Sequence, residues 1–177
     1  DYLQEKGILR HFMVDPMASD QEQWTKDDYD VFRRLLRIDD SQLIRHNYTL
    51  KNRQQYFSEI NHFGDIFLDP DTGIATGHVA HKNKYITPKE IVSLLTTDGN
   101  RLISIYQHVR AINVSVRVGQ CISAVKEISD GFGWCSYETT TVAMLFLSAD
   151  KNRTEEVHKA FNDLLGVHAK MRVRINL

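Results

Sequence analysis

The spacing of apolar residues between Arg101 and Leu177 constrains the fold of this chain more than any other feature of its sequence. The apolar period in this segment changes several times between two residues, which is typical of strands, and about 3.6 residues, which is typical of helices. These changes predict a strand, a helix, two paired strands, a helix and a strand. Their expected ranges are 102–118, 122–128, 134–137, 140–148, 152–165 and 168–175. That order predicts a split βαβ, ferredoxin-like sheet.

The ends of these elements carry recognisable signals. Apolar and polar residues alternate between Ile112 and Val118, which favours a strand that runs on to Val118. Asp130-Gly131 is expected to end the following helix. Asn152 to Glu155 supplies capping residues for the next helix, and Gly166 is expected to end it.

The first half of the chain predicts helices with clear boundaries. Thr25 offers an N-cap for a helix over residues 28–37. Aromatic and aliphatic residues recur at helical spacing over 51–62, and Gly64 stands at the stop position. The clearest helix start is Thr87-Pro88-Lys89-Glu90, because it combines an N-cap Thr, a Pro at the first helical position and a Glu three residues after the cap.

A β-hairpin is predicted between these helices. Its strands are residues 65–68 and 74–80, and its turn is Asp69-Pro70-Asp71-Thr72-Gly73, where the glycine closes a type I turn. The same five residues resemble a calcium loop superficially. They lack the third acidic position, and the twelfth position is Ala80 rather than Glu, so the turn is the better interpretation.

Together these elements predict an α+β protein, with a helical and hairpin N-terminal half packed on a C-terminal ferredoxin-like sheet. Residues 1–99 form an extension or subdomain, residues 100–177 form the βαββαβ-like unit, and the 177 residues are expected to make one compact domain. The net charge of −1 excludes a bulk electrostatic attraction to nucleic acid or anionic membrane. We find no apolar run near the roughly 20 residues of a membrane span.

Cys135 is the residue that invites a catalytic interpretation. Gly133-Trp134-Cys135 and His168-Ala169-Lys170 resemble the nucleophile and base segments of transglutaminase-type and papain-type enzymes. The resemblance implies a hydrolase or transferase with Cys135 as nucleophile and His168 as base. However, the residues after Cys135 favour a strand where those enzymes have a helix. We therefore favour a buried structural thiol and predict no catalytic residue.

The two cysteines, Cys121 and Cys135, are expected to be reduced and buried, which favours an intracellular protein. Sequons at Asn47, Asn113 and Asn152, with a first residue other than Met, leave secretion open. The compartment therefore stays undecided.

No metal or cofactor is predicted. His78 and His81 would share a face of a helix, but on the expected strand, residues three apart point to opposite faces. Zinc would also need further ligands. The chain has no phosphate loop and no nucleotide fingerprint.

Basic residues mark the last expected strand. Lys170, Arg172 and Arg174 alternate, so they would share one face of the sheet, and Arg117 precedes the earlier helix. A basic stripe of this kind could bind phosphate or an acidic partner. The alternative is a solvated edge strand whose charges prevent aggregation. Nucleic acid is a secondary possibility, because the aromatic and glycine signature of an RNA-recognition sheet is missing.

Residues 112–150 carry a second resemblance. The order of a strand at 112–117, a short helix at 122–128, Trp134 and a strand at 142–147 resembles the middle of rhabdovirus matrix proteins. The resemblance implies a self-associating virion protein that bridges nucleocapsid and membrane. Peripheral membrane contact is expected only in that case.

The function expected from these observations is non-enzymatic protein–protein interaction, with self-association into a homo-oligomer. The first 24 residues contain apolar side chains without a clear element of their own to bury them, so we expect them to dock on a neighbouring subunit or on their own domain. The residues concerned are Tyr2, Leu3, Ile8, Leu9 and Phe12. The final strand is a further candidate, because it is expected at a sheet edge.

Overall fold

The structure is a computed structural model that describes residues 2–45, 53–60, 64–77 and 81–175. Its strands are β1 (Met13–Asp15), β2 (Ile66–Leu68), β3 (Gly73–Ile74), β4 (Tyr85–Ile86), β5 (Ile103–His108), β6 (Gly133–Glu138), β7 (Val142–Ser148) and β8 (Val173–Ile175). Its helices are α1 (Tyr2–Glu5), α2 (Lys26–Leu36), α3 (Arg53–Ile60), α4 (Pro88–Thr97), α5 (Val114–Lys126), α6 (Lys151–Leu165) and α7 (Ala169–Arg172). The chain is therefore a mixed α/β protein.

A six-stranded mixed sheet with the order β1-β2-β5-β7-β6-β8 organises the described residues. β1, β2 and β5 are parallel to one another. β7 runs antiparallel to both β5 and β6, and β8 runs antiparallel to β6. β3 and β4 form a separate parallel pair. Strands from the first 99 residues thus continue the sheet formed by the second half of the chain.

Helices cover both faces of this sheet. On one face, α3, α4 and α5 pack on inward-facing residues such as Ile66, Leu68 and Ile103. On the other face, α2 packs near Phe67, and α6 packs near Phe146 together with the N-terminal segment. Because successive strand residues point to opposite faces, Ile66 and Leu68 serve one layer and Phe67 serves the other.

The helix starts expected at Thr25 and Thr87 are confirmed. The Thr87 side chain accepts a hydrogen bond from the Glu90 N–H, and the Glu90 carboxylate accepts one from the Thr87 N–H at 2.8 Å. Thr25 and Asp28 make the same reciprocal pair at the start of α2. Such pairs satisfy N–H groups that have no partner within the helix.

The expected hairpin at residues 65–80 is wrong. β2 lies between β1 and β5 and is parallel to both, while Gly73-Ile74 pairs in parallel with β4 instead of folding back on β2. The physical reason is that Ile66, Phe67 and Leu68 are all buried, as in a strand covered on both faces. Residues 78–80 of the expected second strand lie outside the described residues.

The expected strand over residues 102–118 is correct only in its first part. β5 ends at His108, and α5 begins at Val114, with the Asn113 side chain accepting a hydrogen bond from the Ser115 N–H at 2.9 Å. Val114 and Val118 are also spaced as one face of a helix, and both are buried in α5. The strand that the matrix-protein resemblance requires at 112–117 is therefore absent from this described segment.

The paired strands after Gly133 are confirmed, since β6 and β7 are antiparallel neighbours. The helix that follows them is also confirmed, with Asp150 rather than Asn152 as its N-cap and Gly166 at its end. The final strand, expected over residues 168–175, is shorter than expected. Residues 166–172 form helical turns, and only Val173–Ile175 pairs as a strand.

The split βαβ arrangement occurs twice. β5 and β6 are joined through α5 with β7 between them, and β7 and β8 are joined through α6 with β6 between them. A ferredoxin-like sheet would place the last strand beside the first strand of the unit. Here β2 occupies that position beside β5, and β8 lies at the opposite edge beside β6, so the sheet does not have the ferredoxin-like order.

Candidate functional site

The carboxyl ends of the three parallel strands meet at one edge of the sheet, which we call the carboxyl edge. β1 is followed by Pro16 and β2 by Asp69-Pro70-Asp71, while β5 ends on Tyr106, Gln107 and His108. In open α/β sheets, ligands bind in the crevice outside these strand ends. The carboxyl edge is therefore the first place to examine for a site.

Hydrogen bonds hold the loops of the carboxyl edge together. The Asp69 N–H donates to the Asp15 carbonyl at 3.0 Å, which extends the parallel pairing by one residue. The Ser19 N–H donates to Asp71 Oδ1 at 3.3 Å, and the Ser19 hydroxyl donates to Asp71 Oδ2. The loop after β1 and the loop after β2 are thus joined through Asp71.

Asp15 belongs to the core rather than to the crevice. Its side chain is fully buried, where it accepts hydrogen bonds from the Tyr56 hydroxyl and from the Met17 N–H. Burial raises the pKa of Asp15 to about 8, against the opposing effect of the Met17 N–H. Asp15 is therefore largely protonated at neutral pH and unavailable to a ligand.

Asp69 lies on the other side of the sheet. It follows Phe67 by two residues, so the two side chains share a face. Burial, reinforced by the nearby charge of Asp71, raises the pKa of Asp69 to about 6. Within the described part of the chain, neither Asp69 nor Asp71 forms an ion pair. A half-buried carboxylate without a cation is the kind of group that a ligand can satisfy.

Tyr106 and His108 project from β5 beside Asp69, with ring centroids 4.8 Å apart and the rings nearly perpendicular. Burial raises the pKa of Tyr106, and the charge of Asp69 raises it further. Burial, together with Arg110, lowers the pKa of His108, while Asp71 acts in the opposite direction. Three side chains at this edge therefore have pKa values that differ from their ordinary ones: Asp69, Tyr106 and His108.

A pocket of about 410 Å³ opens beside Tyr106, and we call it the apolar pocket. The sheet supplies its floor, and α2 and the following residues supply one wall through Leu36 and Ile38. The N-terminal segment and α6 supply the opposite wall through Leu3, Leu9 and Phe161. The floor comprises Val14, Phe67, Ser104, Tyr106, Tyr137, Met144 and Phe146.

Gln21 adds an unpartnered polar group in the loop after β1. Its side chain is 2% exposed, and neither amide atom has a hydrogen-bond partner within the described residues. A buried amide without a partner costs roughly 1–3 kcal/mol, so this loop carries unused hydrogen-bonding capacity.

Cys135 and His168, the alternative catalytic pair considered from the sequence, do not fit a nucleophile and its base. Cys135 is fully buried on β6 among Phe146 and Val157, and burial raises the pKa of its thiol. His168 is exposed in the helical turn after α6. A thiolate is the reactive form of cysteine, and this environment disfavours it strongly. Cys121 is also buried and unpaired, in the layer on the opposite face of the sheet, so the two sulfurs are not bridged.

The arginines of the expected basic stripe are engaged within the chain. Arg174 forms an ion pair with Glu138 at 2.5 Å, and Arg172 donates to the Tyr137 hydroxyl at 3.3 Å. Arg117 donates to the Ile74 carbonyl at 2.8 Å. Arg172 ends α7, so the strand alternation that placed it with Arg174 does not apply. The side chain of Lys170 lies outside the described residues.

The apolar residues expected to dock on another subunit lie against their own domain. Leu3, Ile8 and Leu9 pack beside Cys135 and Phe146, and Phe12 packs beside Phe67. Tyr2, Leu3, Leu9 and Phe12 also line the apolar pocket. Their observed role is therefore to build a wall of that pocket.

Sequence reasoning missed Asp69, Tyr106 and His108 as a group. One signal was present: a short apolar segment ends in Asp-Pro twice, at Val14-Asp15-Pro16 and at Leu68-Asp69-Pro70. Apolar runs that end abruptly in polar residues are typical of buried parallel strands and the loops at their carboxyl ends.

None of the described helices is both long enough and apolar enough to cross a membrane. The described part of the chain contains no group of three or more His, Cys, Asp or Glu side chains arranged for a metal ion. His78, one of the two histidines considered above, lies outside the described residues.

Comparison with known proteins identifies no family for this chain. No family model matches the chain, and no curated protein matches it significantly. Among solved structures, the chain is similar to protein LPL1258 of Legionella pneumophila, which is described under the family DUF519, with 12% identity and a TM-score of 0.43. The match covers 95% of this chain and 61% of the other, so the chain spans about three fifths of that structure's length.

Proposed function

We propose that this protein binds a small molecule at the carboxyl edge, with the body of the ligand in the apolar pocket. The observation that carries the proposal is that Tyr106 belongs both to the apolar pocket and to the group of perturbed titratable side chains. Apolar pockets that converge on a few polar groups are the usual form of a small-molecule site. The volume of about 410 Å³ lies within the range of roughly 300–1,000 Å³ found for such sites.

Ligand binding is the function supported most directly, because the apolar pocket can accept a ligand without a metal ion, a cofactor or a second catalytic residue. Tyr106 offers a hydroxyl in the pocket, and Ser104 offers a buried hydroxyl on its floor. Acid–base chemistry by Asp69 would require a bound substrate within hydrogen-bond reach. Ligand binding is therefore the step to test first.

A ligand-observed NMR screen of small aromatic fragments tests this proposal. We expect hits that are lost in Leu36→Lys, because a lysine there enters the wall of the apolar pocket. Leu35→Lys is the matched control: it is the next residue on α2, but its side chain is 77% exposed. Hits that persist equally in both variants, or an absence of hits in the unmodified protein, would contradict the proposal.

A second proposal is the self-association expected from the sequence, as a non-enzymatic protein–protein contact. Two observations favour it: Val31 and Leu35 expose an apolar strip of α2, at 56% and 77% exposure, and β8 lies at an edge of the sheet. Exposed apolar strips and sheet edges are common contact surfaces.

Sedimentation velocity at micromolar concentration tests self-association. We expect an oligomer for the unmodified protein and a shift toward monomer for Val31→Asp. Gln120→Asp, at an exposed position of α5, serves as the control for one added negative charge. A point substitution is preferable to removing the first 14 residues, because that deletion would cut into β1. A monomer in every sample would remove this proposal.

A further inference from the structure

We propose that the ligand of the apolar pocket is an uncharged aromatic molecule whose polar group, a hydroxyl or a carbonyl, forms a hydrogen bond with Ser104. This inference rests on the proposed function and specifies the class of ligand. Its basis is a buried serine hydroxyl without a partner, on the floor of a pocket whose described lining residues carry no charge.

Ser104 lies in the middle of the pocket floor. It belongs to β5, where it pairs in register with Phe67 of β2 and with Phe146 of β7. Paired residues on neighbouring strands point to the same face of a sheet, so the Ser104 hydroxyl lies between the two phenylalanine side chains. The floor therefore has one polar atom with an aromatic ring on either side.

The Ser104 hydroxyl has a hydrogen-bonding capacity that the protein itself does not use. Ser104 is 4% exposed, and within the described part of the chain its hydroxyl forms no hydrogen bond. Most buried polar groups in native proteins have a partner, because leaving one without a partner is costly. The buried hydroxyl of Ser136 on β6, for example, donates to Glu138 at 2.9 Å. A ligand group that reaches the floor of the pocket would supply the partner that Ser104 lacks.

Aromatic side chains surround this hydroxyl. Half of the described residues that line the apolar pocket are aromatic. Phe161 stacks on Tyr137 with ring centroids 5.4 Å apart, and its ring centroid lies 5.5 Å from that of Phe146. These contacts hold the rings in place before a ligand binds. Because aromatic rings pack favourably on one another in offset-stacked and edge-to-face geometries, a flat aromatic ligand suits these walls.

The apolar pocket disfavours a charged ligand. Among the described residues that line it, none is Asp, Glu, Lys, Arg or His. A charged group at the floor would lose its hydration and meet only a neutral hydroxyl, which does not compensate for that loss. A ligand that turned its charge toward solvent would instead give up the hydrogen bond with Ser104. An uncharged ligand avoids both penalties.

Four probes with the same bicyclic ring separate these features: 2-naphthol, naphthalene, 2-naphthoate and 2-naphthylmethylamine. At pH 7 they carry a hydroxyl, no polar group, an anion and a cation. Equilibrium dialysis should show 2-naphthol binding about fivefold more tightly than naphthalene, which is the usual net effect of one hydrogen bond. It should bind at least about tenfold more tightly than either charged probe.

Ser104→Ala should bring the affinity for 2-naphthol close to that for naphthalene, while the affinity for naphthalene stays unchanged. Ser136→Ala is the matched control, because it removes a buried hydroxyl from the face of the sheet away from the pocket, where its register partner Leu145 is part of the core. Its ratio of affinities should equal that of the unmodified protein. A ratio that falls equally in both variants would overturn the inference.

Thermal unfolding of the same variants gives an independent readout. Ser104→Ala should leave the melting temperature unchanged, because the substitution breaks no hydrogen bond, whereas Ser136→Ala should lower it. A lowered melting temperature in Ser104→Ala would show that the hydroxyl already has a partner in the folded protein, and it would overturn the inference.

The remaining outcomes distinguish this inference from the proposed function. Equal affinities for the four probes, with loss of naphthalene binding in Leu36→Lys, would leave the pocket as the ligand site and overturn the class of ligand. Preference for a charged probe would also overturn the class of ligand. Failure of all four probes, in a protein that binds other fragments at the pocket, would do the same. Failure of every fragment would overturn the proposed function itself.

Discussion

Asp15 combines full burial with a titratable group whose protonation is coupled to folding. In the folded protein its pKa is about 8, whereas its ordinary value is 3.8. Between these values, the folded state holds a proton that the unfolded state releases. The contribution of Asp15 to stability is therefore complete below about pH 4, and it is lost as the pH rises toward 8.

The substitution Asp15→Asn should flatten this dependence. A single group of this kind changes the free energy of unfolding by up to about 1.4 kcal/mol per pH unit within its window. We expect the melting temperature of the unmodified protein to fall from pH 5 to pH 8, and that of Asp15→Asn to fall less. Thermal unfolding at three pH values measures the difference, with Asp27→Asn as the control. Parallel slopes in the two proteins would contradict the expected titration.

Cys135 should behave as a small buried apolar residue. We expect Cys135→Ala to leave ligand binding unchanged and to lower the free energy of unfolding by about 1 kcal/mol, because the truncation removes one buried atom. Denaturant titration measures that cost. In the variant Cys121→Ala, where Cys135 is the remaining thiol, a thiol reagent at neutral pH should label the folded protein more slowly than free cysteine. Rapid labelling would show that the thiol is reachable and reactive.

Among the elements, α5 shows why the local pattern of apolar residues gave a wrong prediction. Its first residues alternate apolar and polar, as a strand would, but the buried residues Val114, Val118 and Val125 also lie on one face of a helix. A short segment of β-branched residues can fit both the two-residue period of a strand and the 3.6-residue period of a helix. The N-cap at Asn113 is the local signal that favours the helix. By contrast, α4 was predictable because Thr87, Pro88 and Glu90 specify a helix start without reference to the rest of the fold.

The cap of α5 can be tested directly. Asn113→Ala should lower the free energy of unfolding by about 1 kcal/mol, because the Ser115 N–H loses its acceptor, whereas Asn113→Ser should retain most of the stability. Denaturant titration of the two variants measures the difference. Equal stability of both with the unmodified protein would mean that the side chain of Asn113 contributes nothing to the start of α5.

At the scale of the whole molecule, the carboxyl edge could not be predicted because its residues are far apart in the chain. Asp15, Asp69 and Tyr106 come together only through the parallel pairing of β1, β2 and β5. Pairing of distant parallel strands leaves no local signal, whereas the adjacent strands β6 and β7 were predictable from their short connection. The apolar residues of the N-terminal segment were identified as a group, but their position depended on this same pairing.

Both halves of the chain contribute strands to one sheet, so we expect that the second half does not fold without the first. Residues 100–177 alone would lose β2, which pairs with β5, and Asp65, whose carboxylate accepts from the Leu102 N–H at 2.8 Å and pairs with the buried Arg153. We expect this fragment to lack a cooperative thermal transition, as measured by circular dichroism. The full chain provides the control. A cooperative transition in the fragment would show that the second half folds independently.

The buried pair between Asp65 and Arg153 has a consequence for the order in which the protein can mature. Arg153 also donates to the carbonyl of Ile8 at 2.9 Å, across a separation of 145 residues. During synthesis, the first residues leave the ribosome long before α6 exists to receive them. Leu3 and Leu9 therefore lack the α6 side chains that they pack against until residues 151–165 have been made, so these apolar side chains stay without part of their core for most of the synthesis of the described residues.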